Sequence, residues 1–137
     1  MADFLKSISV AAQGLRAQAG RMRIISENIA NADSTPARAG EMPYRRKIAT
    51  FTAKLDTETG MSGPTMGRIR RDGAEFRSKY EPGHPAADAA GFVRKPNIDM
   101  LIETADMREA QRSYEANVSV IGTARRMIAR TLDILKA

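Results

Sequence analysis

Few side chains in this sequence are equipped for bond-breaking chemistry, and they do not gather. The single histidine, His84, stands among Pro82, Gly83 and Pro85 with no second histidine and no cysteine to share a metal ion, so it reads as a turn residue. Asp88 and Asp99 have the right chemistry for an acid and a base, yet no nucleophile, histidine or further carboxylate clusters beside them. The absence of cysteine removes disulfides, thiolate zinc sites and thiol nucleophiles. Gly60, Gly63 and Gly67 do not lead into a helix as a phosphate loop requires and read as turns. Met42, Met61 and Met66, like Met22, Met107 and Met127, read as adaptable packing. The expectation is a chain that is not an enzyme, with no cofactor, no metal and no small-molecule substrate.

Binding chemistry is better represented. The formal net charge is +6, and residues 1–33 carry +1, residues 34–96 carry +5 and residues 97–137 carry zero. The middle segment holds Arg45-Arg46-Lys47, Arg68, Arg70-Arg71 and Arg94-Lys95, with Tyr44, Phe76 and Tyr80 close by in sequence. Phosphates could be held by such a set. Against a nucleic-acid partner, Glu41, Asp56, Asp72 and Glu75 interrupt the run and no helix-turn-helix or RNA-binding signature is present. A small basic nucleic-acid-binding protein stands as the alternative of a different class.

The elements that would position these residues are set by punctuation. All six prolines and seven of the ten glycines fall between residues 34 and 96, leaving both ends free to be helical. At the N-terminal end Phe4, Ile8, Ala11, Leu15, Gln18, Met22, Ile25 and Ile29 recur at steps of four and three, a heptad stripe with one polar member. After Pro96, Asn97 or Asp99 can cap a second helix. In it Met100, Met107, Tyr114, Ile121, Ile128 and Leu135 follow at intervals of seven, with Ala110 and Ala124 in the adjoining inward position. A 3.5-residue repeat stays on one face only when the helix supercoils about a partner. The spacing therefore predicts a mainly α fold: antiparallel N- and C-terminal helices in a coiled-coil pair (residues 1–33 and 97–137) carrying a small β-rich insert (residues 34–96). Within the insert, residues 44–55, 67–71 and 75–80 have strand-like composition.

The second helix also places Val118, Val120, Met127, Leu132 and Ile134 inward or nearly so, and one antiparallel helix does not cover so wide a face. Leu5, Ala12, Ala19 and Ser26 form a further column on the first helix, small enough for another helix to approach. Each large aliphatic side chain left in water forfeits roughly 1.5 to 3 kcal/mol. Neighbouring subunits are the expected cover. Asn28, Asn31, Tyr114 and Asn117 are the residues expected to fix helix ends and register, since buried amides tolerate only partners that satisfy them.

Two segments carry a resemblance. The run Ile24-Ile25-Ser26-Glu27-Asn28-Ile29-Ala30-Asn31-Ala32-Asp33-Ser34-Thr35 resembles the N-terminal signature of flagellar rod and hook axial proteins, where a helix closes in Asn-Ile-Ala-Asn and a small polar run follows. Asn31 is suited to the left-handed conformation that ends a helix. Tyr114-Glu115-Ala116-Asn117-Val118 with Thr123-Ala124 resembles the matching C-terminal segment. Between them, Tyr80-Glu81-Pro82-Gly83-His84-Pro85, Ala87-Asp88, Gly91-Phe92-Val93 and Pro96-Asn97-Ile98-Asp99 are similar to a segment of proximal-rod members of that family. Residues 37–73 match poorly beyond Tyr44-Arg45-Arg46-Lys47.

The resemblance implies a structural subunit of the flagellar basal-body rod, with another rod component of the same family as the alternative. The apolar spacing puts Phe4, Ile8, Leu15, Met22, Ile25, Met107, Ile121, Ile128, Leu132 and Leu135 in packing and subunit contacts, and the resemblance implies copies of itself, other rod proteins and membrane-ring and export-junction proteins as partners. Complementary charge between such neighbours then accounts for the basic insert. Export by the flagellum's own type III apparatus into the periplasm is implied as well. The chain has no run approaching roughly 18 apolar residues and no basic start and apolar run of a cleavable signal at its N-terminus, which suits that route.

Overall fold

Strong helix formers fill residues 2–30 without a proline. In the computed structural model, which describes residues 1–136, they form α1 (Ala2–Ala30). Its C-terminus corrects one expectation. Among the described residues no non-glycine residue has a positive φ, so Asn31 is not left-handed. Instead the Asn31 backbone N–H and its side-chain Nδ2 both donate to the Glu27 carbonyl, at 3.2 and 2.8 Å, and Ser34 Oγ donates to the Asn31 carbonyl at 2.8 Å. The amide satisfies a helix-end carbonyl that a left-handed residue would otherwise serve.

The second helix, α2, spans Met100–Lys136; Ala137, the last residue of the predicted helical segment, lies outside the described residues. Asp99 caps it, its Oδ1 accepting from the Leu101 N–H at 2.9 Å.

Between the helices lie three separate two-stranded antiparallel ribbons. β1 (Lys47–Ile48) pairs with β4 (Arg70–Arg71), β2 (Phe51–Leu55) with β3 (Ser62–Met66), and β5 (Arg77–Tyr80) with β6 (Phe92–Lys95). Sequence composition missed β3 and β6 because Gly63, Pro64 and Gly91 read as breakers. Pairing explains the tolerance. Bonds from Gly67 N–H to the Thr50 carbonyl and from Asp56 N–H to the Met61 carbonyl set the alternation, which places the Ala53–Pro64 pair at a non-bonded position where the missing proline N–H is not needed. Asp56 closes the β2–β3 turn by accepting from Glu58 N–H at 2.9 Å.

The chain divides into two compact units. The first takes residues 1–22, 50–68 and α2 from 108 onward. Its interior is built from small residues, Ala11, Ala17, Ala110 and Ala124, and its helices touch closely: a Cβ added to Gly14 would lie 2.8 Å from Asn117 Nδ2. Arg21 Nη2 meets Glu109 Oε2 at 3.4 Å. The second unit takes residues 23–49 and 69–107, with Ile24, Ile25, Val93, Pro96 and Ile98 as its apolar centre.

The inward column of α2 is not the one with the largest side chains. Glu103, Ala110 and Ala124 are buried and Asn117 half-buried, whereas Met107, Ile121 and Ile128 are only half-buried. Met100, Tyr114, Leu132 and Leu135, expected inward, are exposed. Small residues take the centre line because close helix approach leaves no room for large ones there, which moves the large column to the flank. On α1, Ile25 is buried and Phe4, Ile8, Leu15, Gln18, Met22 and Ile29 are half-buried.

Candidate functional site

The second unit holds a buried polar cluster that ties α1, β1 and the first turns of α2 together. Asn28 is 1% exposed and Glu103 0%. Asn28 reads the backbone of Lys47 in both directions, its Nδ2 donating to the Lys47 carbonyl at 2.8 Å and its Oδ1 accepting from the Lys47 N–H at 3.0 Å. A side-chain amide thus serves strand β1 as a neighbouring strand would. Tyr44 Oη donates to the same Oδ1 at 3.1 Å, and Asn28 Nδ2 also donates to Glu103 Oε2 at 3.1 Å. The Asn28 amide makes all four contacts its chemistry provides for.

Arg46 supplies the charge that makes a fully buried Glu103 tolerable. Its Nε donates to Glu103 Oε1, while Nη1 and Nη2 reach Asp72 Oδ2 at 3.4 Å and Asp106 Oδ2 at 3.5 Å. Burial opposes the Arg46 charge, but the bond and attraction to Glu103, then to Asp72, outweigh it and hold its pKa above the ordinary arginine value. Nearer solvent, Lys47 Nζ donates to Glu27 Oε2 at 2.8 Å. This bond depresses the Glu27 pKa and raises that of Lys47. Burial pushes the Tyr44 phenol up.

Asn97 repeats the same device on the other side of β1. Its Oδ1 accepts from the Arg46 N–H at 2.8 Å and its Nδ2 donates to the Asp72 and Ala74 carbonyls at 3.2 and 3.1 Å. Arg45 Nη1 donates to those two carbonyls as well, and its guanidinium lies 4.2 Å from the centre of the Phe76 ring. Two of the asparagines singled out from sequence, one at each end of the insert, are therefore clamps on insert backbone.

The rest of the insert motif folds the β5–β6 connection. Asp88 Oδ1 accepts from the Ala90 and Phe92 N–H groups at 2.9 Å each. His84 Nδ1 accepts from the Ala86 N–H at 3.0 Å, and its Nε2 lies 3.3 Å from Thr35 Oγ1. Gly91 has φ +86°, and a Cβ there would lie 2.8 Å from the Tyr80 ring. That ring packs edge-on to Phe92 with centroids 5.3 Å apart. Tyr80, Pro82 and Pro85 are exposed, and Pro96 is buried. Among the described residues no three of His, Cys, Asp and Glu are grouped as a metal ion requires, and no helix is long and apolar enough to cross a membrane.

A second feature lies in the first unit. Along α2, Val118, Val120 and Met127 are exposed, and Leu132, Ile134 and Leu135 are 40%, 75% and 75% exposed. On α1, Leu5 is exposed. The contacts of Gly14 with Asn117 and of Arg21 with Glu109 run in opposite directions along the two helices. Continued at one residue per residue they bring the start of α1 opposite the residues near 130, so the last turns of α2 extend beyond it. Asn117 Nδ2 donates to the Ser113 carbonyl at 2.9 Å, while Tyr114 faces outward.

Sequence reasoning missed Glu103 and the structural weight of Arg46. A signal was present: in the seven-step series Glu103, Ala110, Asn117, Ala124, the glutamate is the one charged member, and a lone charge on an inward line calls for a buried counter-charge.

Comparison with known proteins points to one family. Residues 8–36, which contain most of α1 and its Asn-Ile-Ala-Asn end, match the family described as flagella basal body rod protein. Residues 89–134, which contain β6 and most of α2, match the family described as flagellar basal body rod FlgEFG protein C-terminal. The flagellar basal-body rod protein FlgC of Agrobacterium fabrum is 49% identical over 93% of this chain and 92% of its own length. The FlgC proteins of Bacillus subtilis and Escherichia coli O6:H1 are 36% and 35% identical, each over 95% of this chain and 97% and 96% of theirs.

Proposed function

This chain belongs to the FlgC family of flagellar basal-body rod proteins and is a structural subunit of that rod, and we propose that it polymerises through the uncovered apolar faces of α1 and α2. The family is one of structural proteins, not of enzymes, and nucleic-acid binding is not favoured. The single observation that carries the mode of assembly is the exposed apolar surface of the first unit, above all Leu132, Ile134 and Leu135 on the last turns of α2. Side chains of that size standing in water forfeit roughly 1.5 to 3 kcal/mol each relative to burial. Such a face is stable in a subunit whose working state is an assembly.

In this reading the segments 1–33 and 97–137 form the axial part as an antiparallel coiled-coil pair, and copies and sibling rod proteins cover the remaining apolar stripes. Residues 34–96 face other partners with their basic surface, including proteins at the membrane-ring and export-apparatus junction. The rod crosses the periplasm as a drive shaft, and seams of interlocked helices resist the shear that torque imposes. Delivery is by the flagellar type III apparatus without a cleaved signal. Asn28, Asn31 and Asn97 hold the helix ends and insert in the one shape that stacks.

Electron microscopy of basal bodies tests this reading. Cells lacking the chain are complemented with the parent or with a Leu132→Asp, Leu135→Asp double variant. Complete rods in uncomplemented cells contradict the assignment to the rod. Incomplete rods there, restored by the parent and not by a folded double variant, are the expected result; restoration by both removes the role of the α2 end.

A further inference from the structure

The β2–β3 ribbon has two unlike edges. The bonds that flank it, from Gly67 N–H to the Thr50 carbonyl and from Asp56 N–H to the Met61 carbonyl, put the even-numbered residues of β2 in bonded pairs with β3. The N–H and C=O groups of Phe51, Ala53 and Leu55 therefore point away from β3. On β3 the outward positions are Ser62, Pro64 and Met66, and Pro64 has no N–H to offer at the centre of that edge. Helix α1 also lies along β3: Gly63 is buried, a Cβ on it would collide with Gln13 Oε1, and a Cβ on Gly20 would lie 2.9 Å from Met66 Cγ. The edge of β2 has neither protection. All five of its residues are exposed, Phe51 by 42% and Leu55 by 59%, and outside the ladder no bond among the described residues reaches the backbone of Phe51, Ala53 or Leu55.

An open edge with apolar side chains is a template for another strand. We propose that this edge takes β2 of a second copy, antiparallel and centred on Ala53. With Ala53 on the two-fold axis, Phe51 stands opposite Leu55 of the second copy, and all three outward positions fall in bonded pairs. Thr52 then stands opposite Lys54, so each lysine faces a threonine and not its own counterpart. The register is specific. A shift of one residue sets outward groups against inward ones. A shift of two toward the β2–β3 turn sets Lys54 against Lys54, like charges directly opposed, and a shift of two the other way takes Leu55 from its place opposite Phe51. The product is a four-stranded sheet with Pro64 on both outer edges, so growth stops at two copies. A rod contact repeats from subunit to subunit, whereas this pair closes on itself, so it is a state of the free chain that keeps the edge covered before assembly.

The test uses purified full chain carrying Leu132→Asp and Leu135→Asp, so that the apolar end of α2 does not contribute. Sedimentation across concentrations up to about 1 mM should show a monomer–dimer equilibrium. Ala53 is exposed and sits at a non-bonded position of the ribbon, so charge placed there leaves β2–β3 intact. Ala53→Lys and Ala53→Asp, each setting like charges face to face on the axis, should weaken the dimer by roughly five- to tenfold, and an equimolar mixture of the two should recover it. The chain contains no cysteine, so disulfides report the register. Thr52→Cys chains should form the mixed disulfide with Lys54→Cys chains several-fold faster than Lys54→Cys chains join each other. A monomer at every concentration, growth beyond two copies, no recovery in the mixture, or equal disulfide rates overturns the proposal. None of these readouts involves a rod, so their failure leaves the rod assignment standing.

Discussion

At the scale of single residues, asparagine does most of the organising. Asn28 and Asn97 each place an amide where insert backbone would otherwise lack a partner, and Asn31 and Asn117 add a second donor to a helix carbonyl four residues back. Asn28 matters most, because it is buried and serves Lys47, Tyr44 and Glu103 at once. Replacing Asn28 with Ala leaves the Lys47 N–H and carbonyl unpaired and should destabilise the chain by about 2 to 3 kcal/mol, the cost of buried unsatisfied groups. Chemical denaturation of purified chain checks the size of the loss, and amide exchange should show Lys47 losing protection first. A loss below about 0.5 kcal/mol, ordinary for a surface substitution, would mean that β1 is held by other contacts. The motif asparagines were legible in the sequence as residues that fix geometry. Their targets were not, since the partner backbone of Asn28 lies 19 residues on, in a strand only two residues long.

Among elements, the two helices were readable from proline placement and heptad spacing, and the ribbons only in part. β3 and β6 escaped because strand identity in a two-stranded ribbon comes from the partner rather than from composition. Helix faces were legible only in part for a related reason. Spacing identifies a stripe but not its centre, and the close approach of α1 to α2 put Ala110 and Ala124 on the centre line with the bulky series beside it. Gly14 is where that closeness is tested. Helix propensity alone says that Gly14→Ala gains about 1 kcal/mol, but the added methyl would meet Asn117 Nδ2 at 2.8 Å. The net effect expected is a loss of about 1 kcal/mol once overpacking is included. Thermal unfolding of Gly14→Ala beside Gly14→Ala with Asn117→Ala checks it. The second change should relieve the clash and turn the loss into a gain.

For the whole molecule, charge pairs at the surface define a pH window. The bond from Lys47 depresses the Glu27 pKa, the bond from Lys79 depresses that of Glu81, and the backbone donor of Glu58 depresses that of Asp56. A depressed carboxylate stabilises the fold above its ordinary pKa, 4.5 for glutamate and 3.8 for aspartate, and that contribution is lost as pH falls through the folded value. Lys47 and Lys79 are shifted upward from 10.5, so their contribution is present below that pH and disappears as pH rises through the folded value. Stability should therefore be level between about pH 5 and pH 10 and fall on both sides. Thermal melts across pH should show the acid limb becoming shallower in Glu27→Gln, and added salt should flatten both limbs. An acid limb unchanged in Glu27→Gln would assign the loss to other carboxylates.

By itself the sequence determined that the ends are helical, that the middle is punctuated and strand-bearing, and that both ends carry apolar stripes at helical spacing. Those properties follow from local dihedral preferences and from the period of hydrophobicity, which adjacent residues carry between them. What the tertiary structure alone decided was which series of α2 lies on the centre line, which backbone each asparagine clamps, and that Glu103 and Arg46 find each other 57 residues apart in the chain. Such pairings depend on the distance between packed helices and on the path of the insert. No spacing rule along one chain encodes either.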